Sequence, residues 1–445
     1  MFEHLDDGEE LRPGTRDLAR VLDRAEAIRS RRRWTLALGS CAVLLAASVG
    51  FFFARSPGQV SLSTAAYQFN LQKGPLPIGL PVPTTALVDV QFATPQTGFA
   101  LALHRNEVVL ATSTDGGSTW QVRNNHLPAG LGAAAGYPGQ MEFVGFTGYL
   151  WGARSANGAP LWVTHDDGAT WQEAAIAPYV LDVSAIGPNA WALTDTCAPG
   201  ATGGTCTAGL EESLDGGTTW TAASPFDLTA GPPGLPLQPV ELARITRTRA
   251  YVLVNFATTD AYSSWQLQYT DNAGATWAAD PLPCGGPFAL GAEVAASSTD
   301  DLWLFCGSQA SGGEQSKELF RSEDGGSRWA PVALALGLGT PPPPSSTKDP
   351  LPLAGYIAPF TVSHRTLAVA SPTTAWLYPQ RAGLYETQDG GETWAPVPSL
   401  STAGFNSGGA GNITFLNASE GWICAYGIGL WHTNDGVHWS SLGSG

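Results

Sequence analysis

Positive charge is scarce in this sequence: Lys and Arg number 22 against 38 Asp and Glu in 445 residues. The imbalance is unevenly placed. Residues 1–54 hold eight acids (Glu3, Asp6, Asp7, Glu9, Glu10, Asp17, Asp23 and Glu26) and eight Arg, so the net charge of −16 belongs to the remainder. A surface without a basic stripe excludes a binder of the nucleic-acid phosphate backbone. It suits solubility and is compatible with a basic partner. Catalytic signatures are missing as well, with no GxSxG, no Walker loop and no dinucleotide fingerprint. The seven His form no motif, and no CxxC or Cys/His spacing suggests zinc. Neither a metal nor a cofactor is expected.

Charge is absent altogether from Trp34 to Ala54, WTLALGSCAVLLAASVGFFFA. As a helix rising ~1.5 Å per residue, this segment spans about 30 Å, the hydrocarbon thickness of a bilayer. Arg29, Arg31, Arg32 and Arg33 stand immediately before it, which places the N-terminus inside and everything after Arg55 outside. A cleaved signal peptide fits less well, because the leader is long and the apolar run exceeds an ordinary h-region. LGSC at 38–41 resembles a lipoprotein cleavage box with Cys41 as the lipidated residue, but the apolar run continues well beyond Cys41. A signal-anchor is therefore the preferred reading. Upstream, Leu18, Val21, Leu22, Ala25 and Ile28 follow helical spacing after Thr15, giving a short amphipathic helix in the tail.

The exported region is built on a repeated box: STDGGSTW (113–120), THDDGATW (164–171), SLDGGTTW (213–220) and TDNAGATW (270–277), then SEDGGSRW (322–329), TQDGGETW (387–394) and TNDGVHW (433–439). Recurrence at this spacing signals a repeat fold. Before each box runs a short strand, a tight polar turn and a second strand opening on an aromatic: Phe99, Tyr149, Trp191, Tyr251, Trp303, Trp376 or Trp422. A third strand leads into the box, and the box Trp opens a fourth. The expectation is an all-β fold, a seven-bladed propeller of four-stranded antiparallel blades, preceded by one N-terminal transmembrane helix. The boundaries follow: tail 1–33, membrane helix 34–54, a linker or possible closing strand 55–86, propeller 87–445.

Within the box, Asp and Ser/Thr side chains bond to their own turn, and Gly supplies the positive φ it needs. The structural box residues are Asp115, Asp166, Asp215, Asn272, Asp324, Asp389 and Asp435, with Trp120, Trp171, Trp220, Trp277, Trp329, Trp394 and Trp439. Asn272 fits a turn-holding role better than a metal or phosphate site.

These copies resemble the Asp-box or BNR repeats of sialidases, sortilin-type receptors and the photosystem II assembly-factor family. The pairing of F-x-x-x-x-x-G-aromatic with TxDGGxTW is most similar to the last. The resemblance implies fold more than function. A sialidase would carry an aromatic-Arg-Ile/Leu-Pro motif, which ARIT at 243–246 does not match, and adjacent Tyr385 and Glu386 would point to opposite faces of a strand.

Connection lengths single out one face. The turns between first and second strands and the boxes are nearly constant, so the insertions all fall at the other end. These include 123–139, 195–211, 224–239, 255–265, 306–317 and the proline-rich 331–361. That upper face is the expected binding face. Cys197 and Cys206 flank CAPGATGGTC and form one disulfide candidate, Cys284 and Cys306 another, and Cys424 is left as a buried thiol. The role expected is a non-enzymatic binding or assembly scaffold for a protein or a cell-envelope glycan, on a single-pass protein of bacterial origin. The alternative is an anchored glycoside hydrolase, for which two carboxylates suffice. Its candidates are the channel-mouth acids Asp195, Glu211, Asp227, Glu241 and Asp260. A weaker reading is signalling through the tail.

Overall fold

The chain divides into Met1–Ser63 and Thr64–Gly445, and the computed structural model describes the second unit. It covers residues 68–70 and 85–443, apart from 105–106, 125–126, 128–138, 153–159, 178, 196–207, 224–236, 258–262, 286–290, 309–313, 336–350, 352–365, 380–382, 398–399, 401–410 and 426–428. Trp34–Ala54, Cys41, Asp227, Asp260 and the Cys197–Cys206 candidate lie outside the described residues. No helix among the described residues is long and apolar enough to cross a membrane.

β1 (Gln68–Asn70) precedes blade 1, which is β2 (Thr85–Phe92), β3 (Gly98–His104), β4 (Glu107–Ser113) and β5 (Thr119–Asn124). Blade 2 is β6 (Gln140–Val144), β7 (Thr147–Trp151), β8 (Leu161–Thr164) and β9 (Gln172–Glu173). Blade 3 is β10 (Tyr179–Ile186), β11 (Asn189–Asp195), β12 (Ala208–Ser213) and β13 (Thr221–Ala222). Blade 4 is β14 (Leu237–Arg244), β15 (Ala250–Ala257), β16 (Ser263–Thr270) and β17 (Ala278–Pro281). Blade 5 is β18 (Gly291–Ala296), β19 (Leu302–Gly307), β20 (Lys317–Ser322) and β21 (Ala330–Ala335). Blade 6 is β22 (Leu367–Val369), β23 (Ala375–Leu377), β24 (Tyr385–Thr387) and β25 (Ala395–Pro396). Blade 7 is β26 (Gly411–Phe415), β27 (Gly421–Ala425), β28 (Gly429–Thr433) and β29 (Trp439–Gly443).

Each blade is an antiparallel meander of four consecutive strands, and β1 adds a fifth strand to the outer edge of blade 1. The 55–86 segment thus contributes β1 to blade 1 among the described residues. Among the described residues, blades 7 and 1 each keep their own strands and meet through side-chain packing and side-chain hydrogen bonds. Phe92 stacks on Trp422 at 3.8 Å, and Asn412 Nδ2 donates to Asp89 Oδ1 at 2.7 Å.

The second strands lie in the middle of this packing. β19 is buried along its whole length, because neighbouring blades cover both its faces. Its sequence, LWLFCG, accordingly reads as a continuous apolar run rather than an alternating one. The aromatic opening each second strand faces the following blade, while each box Trp faces the preceding one. They meet edge to face between blades, as in Tyr149 with Trp220 at 6.4 Å and Trp303 with Trp394 at 6.4 Å. Three first strands carry a Phe at or next to their last position that slides between the two rings. Phe143, for example, stacks on Phe99 at 3.7 Å and meets Trp171 edge-on at 6.3 Å. Its cross-strand partner is Gly148, where a Cβ would lie 2.3 Å from the Phe143 ring. Glycine in the F-x₄₋₅-G-aromatic pattern therefore makes room for the ring.

The box is a closed hydrogen-bonded turn. In the first copy the Thr119 amide donates to Asp115 Oδ1 at 2.9 Å and its hydroxyl to Oδ2 at 2.6 Å. Ser113 Oγ donates to Oδ1 and accepts from the Gly117 amide, both at 2.8 Å. Asp166, Asp215 and Asp389 repeat the scheme on Thr170, Thr219 and Thr393. Asp324 accepts the Arg328 amide and Asp435 the His438 amide. Asn272 also accepts an amide, from Thr276, and its Nδ2 donates to the Thr276 hydroxyl at 2.8 Å. The Trp120, Trp220 and Trp394 indoles donate to carbonyls of their own boxes. Gly116, Gly216, Gly325 and Gly390 donate to carbonyls in the turn between first and second strands, so box and turn share one end of the blade.

Because Asn preserves this scheme in blade 4, Asp115→Asn is expected to be nearly neutral. Asp115→Ala should cost about 1 kcal/mol, the range of a lost helix-cap bond. Chemical denaturation of the two variants checks the ranking; equal losses would deny the turn its role.

Cys284, which follows blade 4, is joined by a disulfide to Cys306 in β19, across a separation of 22 residues, and Cys424 is a buried free thiol. Closing a loop of this length stabilises by roughly 3 kcal/mol. The C284A/C306A double variant is expected to lose about that much by denaturation, and a loss below about 1 kcal/mol would contradict the assignment.

Candidate functional site

The innermost strand of a blade has one edge without a strand partner, so its backbone groups need other partners. Two rings of side chains supply them. One holds Asp89, Gln140, Asp182, Glu241, Glu293, Thr366 and Asn412; the other, two residues on, holds Gln91, Glu142, Ser184, Ala243, Ala295, Ala368 and Thr414. Polar members reach the next blade. Gln91 Oε1 accepts the Phe143 amide at 2.7 Å, Glu142 the Ala185 amide at 2.8 Å, and Asp182 the Leu242 amide at 2.7 Å. Glu293 accepts the amides of Thr366 and Leu367 at 2.9 and 2.8 Å, and the Thr366 hydroxyl as well.

These strands enclose a central channel of about 500 Å³. Its wall is polar on blades 7, 1, 2 and 3, and carries Ala243, Ile245, Ala295, Ala368 and Val369 on blades 4 to 6. Arg244 ends β14 in the place that Phe holds in blades 1, 2 and 7. It lies over Trp191 at 4.2 Å and donates to the Asn189 carbonyl at 3.0 Å. Burial pulls its guanidinium down to about 10. Burial also pushes Glu293 up to about 7, against the hydrogen bonds it accepts. In blade 5, burial lowers Lys317 to about 7 and raises its neighbour Glu318 to about 6.

Three of the five acids expected at the channel mouth are among the described residues, and of these only Glu241 lines the channel. Asp195 ends β11, buried between its neighbours, and Glu211 in β12 accepts the Ala177 amide at 3.0 Å. Placement at a loop end does not direct a side chain to the axis; the inner strand does. Asp89, Glu142, Asp182, Glu293 and Arg244 were missed. A signal existed: LVDVQF, VLDVSA, VELAR and AEVAA each carry an acid three or four residues before the end of the first strand. Tyr385 and Glu386 lie on β24, outside the channel lining. The box carboxylates are on the opposite face from the insertions. The Thr219 amide, with the Thr219 and Ser213 hydroxyls, holds Asp215 down to about 2. No cluster of acids, His or Cys able to hold a metal occurs among the described residues.

Apart from 71–84, which joins β1 to β2, every internal segment outside the described residues joins a second strand to a third, or one blade to the next. By connectivity all of them leave from the end of the blades opposite the boxes.

The class is thus a seven-bladed β-propeller with a side-chain-stitched channel. Its fold is similar to that of the photosystem II assembly factor YCF48, solved bound to a D1 peptide: 17% identity over 83% of this chain and 96% of that one, TM-score 0.50. YCF48 from Cyanidioschyzon merolae is 15% identical over 80% and 97%, TM-score 0.51. A PL25 polysaccharide lyase, an ulvan lyase, is 10% identical over 84% and 97%, TM-score 0.53. No family model matches the sequence, and no curated protein does. At these identities the likeness concerns the fold alone.

Proposed function

We propose that this protein is a single-pass, membrane-anchored propeller on the extracytoplasmic side, acting as a non-enzymatic binding or assembly scaffold for a protein or a cell-envelope glycan. The ligand is held at the face opposite the boxes. The observation that carries the reading is the use made of the first-strand carboxylates: Glu142 and Asp182 on the channel wall and the buried Glu293 each accept backbone amides of the next blade. Acids engaged in holding blades together are poorly disposed to act as a general acid or nucleophile. The uncharged run Trp34–Ala54 supports the anchor, and its preceding arginines support the orientation. The box turns support membership of the Asp-box group. YCF48, with its D1 peptide, exemplifies peptide binding on this fold.

The test uses the full chain in detergent, with a glycan panel read by thermal shift and a pull-down from envelope extract. The scaffold reading expects a captured protein or a stabilising glycan without turnover, and loss of that binding when 336–350 is deleted, which spares β21 and the buried Leu351. Turnover of a chromogenic glycoside, abolished by Glu241→Gln, would replace it with the hydrolase reading.

A further inference from the structure

The geometry points to a second docking surface, on the box face at blades 2 and 3, for a cationic segment of a partner protein that carries an apolar side chain. Phe146 and Leu214 are 72% and 68% exposed, the two most exposed large apolar side chains among the described residues. Single exposed apolar residues are ordinary; two on adjoining turns of neighbouring blades are not. Phe146 sits in the turn between β6 and β7, and Leu214 is the second residue of the box of blade 3. A Cβ on Gly216, two residues from Leu214, would lie 3.7 Å from the Thr147 methyl and 3.3 Å from His165. Thr218 Oγ1 is 3.3 Å from His165 Nε2. The turn of blade 2 and the box of blade 3 therefore adjoin.

Neither side chain serves the scaffold. The box needs only the backbone at Leu214, since the same place holds Thr, His, Asp, Glu, Gln or Asn in the other six copies. At Phe146 it is the carbonyl that is used, accepting the Asp167 amide at 3.3 Å.

Charge selects the occupant. Asp166 and Asp215 beside the patch are kept ionised by the hydroxyl and amide donors of their boxes, although slight burial opposes this at Asp166. A cationic segment with an aliphatic or aromatic residue satisfies both the apolar pair and the acids around it. A second copy is disfavoured, because residues 55–445 carry the whole net charge of −16 and like surfaces repel.

A random 12-residue peptide library displayed on phage, depleted on empty micelles, is selected against the full chain in detergent. The expected result is enrichment of Lys- and Arg-rich peptides containing Leu, Phe or Trp. A synthetic peptide of the recovered sequence should bind the F146S/L214T variant at least tenfold more weakly and weaken at high salt. Val437→Thr in blade 7 and deletion of 336–350 should leave its binding unchanged, which separates this surface from the upper face. Peptides without that bias, or equal affinity for the double variant, would overturn the proposal. Concentration-dependent dimerisation abolished by F146S/L214T would overturn it in favour of self-association.

Discussion

Trp422→Ala is expected to destabilise the propeller by roughly 3–5 kcal/mol, the range for removing a large buried aromatic. Trp422 is fully buried, stacks on Phe92 with an interplanar angle of 7°, and donates its indole N–H to the Gly116 carbonyl at 3.3 Å. The same substitution at Trp191 removes a ring of equal size from the blade 3–4 interface. The two sites differ in connectivity. Blades 3 and 4 are joined by the chain, so a weakened interface reforms at high effective concentration. Blades 7 and 1 are consecutive only in space, so separating them also releases the entropy of ring closure. Hydrogen exchange distinguishes the cases: W422A should speed exchange in both β2 and β26, whereas W191A should act only on its own interface. Unchanged protection of β2 and β26 in W422A would refute a seam held by side-chain packing.

The second large effect concerns Glu293 and depends on pH. Its carboxylate is buried between blades 5 and 6, and burial raises it from an ordinary 4.5 to about 7. Over that window the folded protein binds the proton more strongly than the unfolded chain, so this group makes stability fall as pH rises. At 1.36 kcal/mol per pKa unit the fall is about 3 kcal/mol, complete above pH 7. Glu293→Gln keeps an acceptor for the amides and offers its N–H to Thr366 Oγ1, with no charge to desolvate. It should match the parent near pH 5, exceed it near pH 8 and flatten the pH profile. Glu293→Ala leaves two amides and a hydroxyl without their acceptor, a loss of roughly 3 kcal/mol or more. Urea denaturation of the three proteins at pH 5 and 8 decides the matter. An unchanged slope in E293Q would assign the pH dependence to other groups.

Both effects involve residues whose partners are remote in sequence, and this separates what was readable from what was not. The box and the aromatic opening each second strand are short patterns repeated sevenfold, and the hydrogen bonds of the box close within its own eight residues. Asp115 finds Thr119 and Ser113 whatever the rest of the chain does. The repeated box and strand pattern therefore sufficed to predict seven four-stranded blades, and the turn length at each box indicated which end of the blade stays constant.

The channel was different. Glu142 meets Ala185 across 43 residues, Asp182 meets Leu242 across 60, Glu293 meets Leu367 across 74, and Asn412 meets Asp89 across 323. Of the acids on the first strands, Glu241 alone was a candidate, because it stands next to the 224–239 insertion. Only closing the ring turns the free edge of each first strand toward its neighbour and gives those carboxylates their amides. Sequence by itself determined the repeating unit, because its hydrogen bonds and capping residues are short-range. Tertiary structure decided which side chains face the axis, how Phe92 and Trp422 close the seam, and that the turn carrying Phe146 adjoins the box carrying Leu214. Each of these depends on the angle at which one blade packs on the next, and no single repeat encodes it.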